Sequence, residues 1–342
     1  MKKIKTLLAF VAMLALAVVF SVSNPVSAQD KLTIVWYPNE SGADLAESRE
    51  QISKAIEEAT GKTVENLTTT DYNIAIEAIA SGQGNLAFMG GQGYVQANEL
   101  NDKVQPLVVI SGESGTLEDA VYYSWLNVKE ADAEQYKDDK GEYSIENIKG
   151  KKMSFVSESS TSGFKIPTKT ISESEFFKDE ELESEDLLEG GDDKFFSEVM
   201  FGQSHQGSLF NVISGKSEIA AACDTCVFNY VEPVEGEMNE VGTVYQIRED
   251  AEQSFDGSAG EKFVAISVQP VLNSPFAVNT ENTDEETMSK LKELFTSDDF
   301  RNEIFISEED ADAGKTGLFY VKGDNKFVEA DDSFFDPLRQ IK

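Results

Sequence analysis

Strand-like apolar runs alternate with helical patterns through the first third of the chain, and this alternation restricts the possible folds more than any other feature. Lys31–Trp36 reads as a strand ending at Pro38-Asn39, and Leu45–Thr60 as a helix closed by Gly61. Lys62–Leu67 is the next strand. Asp71–Ser81 follows as a helix capped by Asp71, with Ile74, Ile76 and Ile79 assigned to the core. Leu86–Met89 is a short buried strand breaking into Gly90-Gly91-Gln92-Gly93, with a helix from about Tyr94 to Leu100 and a strand at Val104–Ile110. Such a rhythm predicts an α/β fold with mostly parallel sheets.

After Tyr122–Val128 the pattern resets. Strands are expected at Lys151–Val156, Phe195–Met200 and Ile219–Cys223, with a helix over Ser208–Ser214 stopped at Gly215. Glu173–Asp193 reads as a charge-rich loop or surface helix. Apolar runs return at Val264–Pro270 and Phe276–Val278, before an amphipathic helix over Asp284–Phe295. The reset and the return predict two lobes, one from residues 30–125 plus 270–342 and the other from 126–269.

The N-terminus carries Lys2, Lys3 and Lys5, an apolar run from Leu7 to Phe20 and small residues at Val26-Ser27-Ala28. This is the pattern of a secretory signal peptide over residues 1–28, with a mature start near Gln29. The run falls short of the roughly 20 residues of a membrane span. No cysteine lies near the cleavage site for lipid attachment, so a soluble periplasmic or secreted protein is expected. Losing those lysines and no acidic residue takes the formal charge from −34 to −37. So negative a surface argues against nucleic acid and anionic membranes as partners.

Ser159-Ser160-Thr161-Ser162-Gly163-Phe164 suits a helix start, where hydroxyls cap free N–H groups. A helix start rimmed with hydroxyls is also an anion site, and the run by itself leaves both readings open. Cys223 and Cys226 read as a local disulfide or two buried thiols rather than a redox or metal motif, since the chain has a single histidine, His205. That scarcity also speaks against a metal phosphatase. Gly202-Gln203-Ser204-His205 fails as a nucleophile elbow, because G-x-S-x-G needs glycine where Gln206 stands.

Taken in order, several motifs resemble one family: the substrate-binding proteins of phosphonate, phosphite and phosphate importers of the ATP-binding-cassette type. They are Asp71-Tyr72, Ala87–Gly91, Tyr122–Ser124, S-T-S-G-F at Ser160–Phe164, G-Q-S-H at Gly202–His205, Ala220–Asp224 and Leu272–Phe276. S-T-S-G-F-x-x-P followed by G-x-S-H is the specific part, and together the motifs span almost the whole mature chain. The resemblance implies a two-lobed periplasmic-binding-protein fold of type II, with a hinge of two crossing strands and the ligand between the lobes. It implies that Ser160, Thr161, Ser162 and His205 hold a phosphorus oxyanion, and that Tyr72, Tyr122, Gly91 and Gln92 line the cleft. Asp224 matches a cleft carboxylate, which would accept a ligand proton and so reject sulfate. The partners implied are a membrane permease and ATPase, with the protein a monomer that needs no cofactor and is not an enzyme. A sensor protein of the same fold, or a secreted phosphoester-processing enzyme, is the alternative.

Overall fold

A computed structural model describes residues 30–341, and the signal-peptide reading of residues 1–28 lies outside them. The chain first lays down β1 (Lys31–Trp36), β2 (Thr63–Thr68), β3 (Leu86–Phe88) and β4 (Val104–Ile110). It then builds β5 (Val121–Lys129), β6 (Lys152–Phe155), β7 (Glu198–Phe201), β8 (Ile219–Cys223), β9 (Val231–Glu235), β10 (Val244–Ile247) and β11 (Lys262–Leu272). β12 (Pro275–Asn279) and β13 (Phe327–Val328) return to the start. A six-stranded sheet has the order β13-β4-β12-β3-β1-β2, and a seven-stranded sheet the order β7-β6-β8-β5-β11-β10-β9.

Neither sheet is mostly parallel, which corrects the sequence expectation. β1 pairs parallel with β2 and β3, and β6 with β7 and β8, as the strand–helix alternation demands. β12, however, runs antiparallel to β3 and β4, and β5 antiparallel to β8 and β11. The physical reason is that the chain passes from one sheet to the other and comes back, so the crossing strands reverse direction. β5 and β11 pair along their length, from Val121↔Leu272 to Lys129↔Phe263. The expected lobe borders at 125/126 and 269/270 fall inside these two strands.

The helices flank the sheets where the periodicity placed them, with shifts at their starts. They are α1 (Ala46–Thr60), α2 (Tyr72–Ala80), α3 (Gly91–Leu100), α4 (Ile166–Ser172), α5 (His205–Ile213) and α6 (Asp224–Val227). In α2, Asp71 caps by accepting from Asn73 N and Ile74 N. Ile76 and Ile79 are buried but Ile74 is 53% exposed. Residues two apart point to different helix faces, so Ile74 cannot share the core with Ile76. α3 starts three residues earlier than expected, at Gly91, which packs where a Cβ would overlap Leu338 and crowd Phe335. α5 likewise begins at His205, capped by Ser204, whose Oγ accepts from Gly207 N at 3.0 Å. β7 covers Glu198–Phe201 rather than Phe195–Met200, because Phe195 and Phe196 turn into the core.

Cys223 and Cys226 are joined as a disulfide across the turn between β8 and α6. Among the described residues no helix is long and apolar enough to cross a membrane.

Candidate functional site

A cavity of about 390 Å³ is lined by residues from both sheets. Its walls come from the carboxyl ends of the parallel strands: Tyr37–Glu40 after β1, Met89-Gly90 after β3, Ser160–Ser162 after β6, His205 after β7 and Asp224 after β8. β5 runs the other way, so its beginning, at Tyr122, lies at the same edge. This is where open α/β sheets place ligands, because free helix starts and loops gather there.

The hydroxyl run takes both roles left open by its sequence. Ser160 is a helix cap, its Oγ accepting from Gly163 N at 3.0 Å. The turn that follows is wide, with Lys165 N donating to Ser160 O at 3.0 Å, a π-type turn of the kind found at functional sites. Gly163 sits so close to Val156 that a Cβ would overlap its side chain, and this contact seats the turn on the end of β6.

The same run lines the cavity. Thr161 Oγ1 accepts from Gln92 N at 2.9 Å, and Ser162 Oγ accepts from Tyr122 OH at 3.1 Å. On the opposite wall Tyr72 OH accepts from Asn39 Nδ2 at 2.6 Å. Each of these oxygens receives a bond from the protein, as does Ser160 Oγ, so its own O–H is left to donate elsewhere. Ser160, Thr161, Ser162, Tyr72 and His205 are all buried.

His205 Nε2 lies 3.4 Å from Ser160 Oγ, and its Nδ1 has no partner among the described residues. Burial holds the imidazole down at about 3, so at neutral pH it is uncharged. Burial likewise pushes the Tyr37, Tyr72 and Tyr122 phenols up, and they stay protonated. Tyr37 packs against Tyr72 with ring centroids 4.2 Å apart and planes tilted by 32°. The result is a buried ring of neutral donors, which can hold an anion without a facing cation.

Asn39 ties the two walls together. Besides its bond to Tyr72, its Oδ1 accepts from His205 N at 3.0 Å and its carbonyl from Gln206 Nε2 at 3.2 Å. Ser159 Oγ, just outside the matched run, donates across to Asn73 Oδ1 at 2.7 Å.

Asp224 does line the cavity, but its oxygens are engaged by the protein. Oδ1 accepts from Tyr123 N at 2.9 Å and Thr225 N at 2.7 Å, Oδ2 from Asn239 Nδ2 at 3.1 Å, and Lys322 Nζ stands 3.9 Å away. Three of its roughly four acceptor positions are therefore taken by the protein. Gly91 and Gln92 do not line the cavity; Gly90 does. Gly91 packs on Phe335 and Leu338, and Gln92 acts through its N–H on Thr161.

Sequence reasoning missed Tyr37, Asn39 and Glu40. The available signal was their place directly after the first strand, at Pro38-Asn39, where such folds bind ligands. Ser204 is the α5 cap, its Oγ accepting from Gly207 N. His205, Cys223 and Cys226 cluster within 4.8 Å, but bonded sulfurs offer no thiolate to a metal.

Comparison with known proteins converges on one family. The model of the family described as "ABC transporter, phosphonate, periplasmic substrate-binding protein" matches residues 34–335. The chain is 30% identical over 234 residues to the phosphate-import protein PhnD of Mycolicibacterium smegmatis, a match covering 66% of each chain. Among solved structures, PhnD1 from Prochlorococcus marinus, in complex with methylphosphonate, superposes with a TM-score of 0.63 at 15% identity, covering 92% of this chain and 97% of that one. A binding protein component of an ABC phosphonate transporter from Pseudomonas aeruginosa gives a TM-score of 0.63 at 17% identity, covering 92% and 85%. At these identities the structures establish the fold, which is the two-lobed periplasmic-binding-protein fold of type II.

Proposed function

Because the chain belongs to the family of periplasmic substrate-binding proteins of phosphonate ABC transporters, we propose that it captures a phosphorus oxyanion in the cavity described above. The loaded protein would then deliver phosphate, phosphite or a phosphonate to a membrane permease and its ATPase. One observation carries this reading. Ser160, Thr161, Ser162 and Tyr72 each accept a bond from the protein and keep a proton to give, around one buried cavity. An oxyanion with several acceptor oxygens is the complement of such a ring, and the start of the helical segment adds partial positive charge. Tyr122 orients Ser162 rather than donating directly, and His205 adds a neutral ring N–H.

The six-stranded and seven-stranded sheets serve as the two lobes, with β5 and β11 as the hinge between them. The basic and apolar N-terminus would direct export, leaving a mature, monomeric protein that begins near Gln29. Its acidic surface would keep it off anionic membranes, so that the importer is met by shape rather than by charge.

A thermal-shift screen of the mature protein with phosphate, phosphite, methylphosphonate, aminoethylphosphonate and sulfate tests the reading. At least one phosphorus oxyanion should raise the melting temperature, because a ligand of the native state stabilises it. If none does, the cavity is not an oxyanion site.

A further inference from the structure

Glu40 ends the turn that follows β1 and lines the same cavity as Tyr37, Tyr72, Tyr122, Ser160 and His205. The residue as a whole is half-buried, but its Oε2 is sealed from solvent and has no partner among the described residues. The nearest cation does not answer it. Arg49 on α1 spends Nη1 on the main-chain carbonyls of Glu40 and Gly42. Tyr37 beside it, Tyr72 on α2, Tyr122 on β5 and His205 on α5 are uncharged, while Glu113, Asp119 and Lys322 line the same cavity. Asp44 interacts with Arg49 and accepts from Tyr230 OH, and Asp224 is held by Tyr123 N, Thr225 N and Asn239.

We propose that Glu40 is a specificity-determining residue which shares one proton with the bound oxyanion, a role that rests on the oxyanion-binding reading given above. An ionised carboxylate and a doubly charged oxyanion cannot face each other in one buried cavity. A single proton between them resolves this, whether Glu40 donates it to P–O⁻ or accepts it from P–OH. The two descriptions have the same composition, so the complex holds one proton in either case. Burial supports this by pushing the Glu40 carboxyl up to about 8, against its own backbone amide and Asn39, so the free site is mostly protonated at neutral pH. Phosphate and phosphonates ionise a second time near neutrality. Above about pH 8, therefore, neither free partner carries the proton that the complex needs, and one must be taken up on binding.

The test is calorimetry with phosphate and methylphosphonate across about pH 7 to 9.5, in buffers of different ionisation enthalpy so that protons are counted. Uptake of one proton corresponds to a loss of about tenfold in affinity per pH unit. The native protein should show that slope above about pH 8, with close to one proton taken up per ligand. Glu40→Gln keeps an N–H donor but cannot titrate, so its uptake should approach zero and its slope should flatten. Asp224→Asn should keep the native slope. If Glu40→Gln retains the slope, or Asp224→Asn abolishes it, the assignment is overturned. If the native protein binds both probes with no slope and no proton uptake, this inference fails while the oxyanion reading stands. If it binds neither at any pH, and phosphite and aminoethylphosphonate also fail in the thermal-shift screen, both fail.

Discussion

The two walls of the cavity are built by different means. The wall from the seven-stranded sheet is centred on one contiguous run, with Ser160, Thr161 and Ser162 in a single turn and their backbone fixed by the cap at Gly163, and Tyr122, His205 and Asp224 around it. The wall from the six-stranded sheet is assembled from separate elements, with Tyr37, Asn39 and Glu40 after β1 and Tyr72 at the start of α2. Short hydroxyls on a capped turn need little support, because few rotamers must be frozen. Long side chains on the opposite wall need partners, and Asn39 and the Tyr37–Tyr72 ring contact supply them. The contiguous wall offers geometry, and the assembled wall sets charge state and closure.

Breaking the bridge between the walls should have the largest effect. Asn39→Ala removes the partner of Tyr72 OH and leaves His205 N buried without an acceptor. A loss of about 2 to 4 kcal/mol in ligand binding is expected, measured by calorimetry at neutral pH. Ser162→Ala tests the contiguous wall. It removes one donor from an enclosed anion and should cost about 1.5 to 3 kcal/mol in binding. Equal losses from Ser162→Ala and Ser159→Ala would reduce the run to a helix cap.

The charge state of the assembled wall shows in the stability of the free protein. Glu40 is raised from 4.5 to about 8 on folding, so between those values the native state holds a proton that the unfolded chain releases. Its stabilising contribution is complete below the unfolded value and is lost as pH rises through the folded one. Glu40→Gln should therefore gain stability relative to the native protein as pH rises from about 5 to 8, by up to about 4 kcal/mol in denaturant melts. His205 behaves in the opposite sense. Lowered from 6.5 to about 3, it is neutral in the fold while the unfolded chain is protonated, so stability falls as the solution is acidified through that window. His205→Gln should flatten the acid limb of the stability profile. The smallest effect belongs to Ser159→Ala, which loses one bond to Asn73 and should weaken binding by about 0.5 to 1 kcal/mol, read by the same calorimetry.

What the sequence determined by itself was local. The strand–helix alternation fixed the α/β class, since apolar period and capping residues act within a few positions. S-T-S-G-F and G-Q-S-H located one wall, since a cap, a glycine contact and a helix start are encoded side by side. Ile74 shows the limit even there, because helix periodicity was read without its facing partner. Tertiary structure alone decided which way the return strands run, and thus that Tyr122 begins β5 at the edge where β8 ends. It also decided that Asp224 is satisfied by Tyr123, Thr225 and Asn239, whereas Glu40 has an oxygen without a partner. The two carboxyls look alike in the sequence. Their difference is made by desolvation and by donors from elements far away along the chain, and neither is a property of a residue's neighbours in sequence.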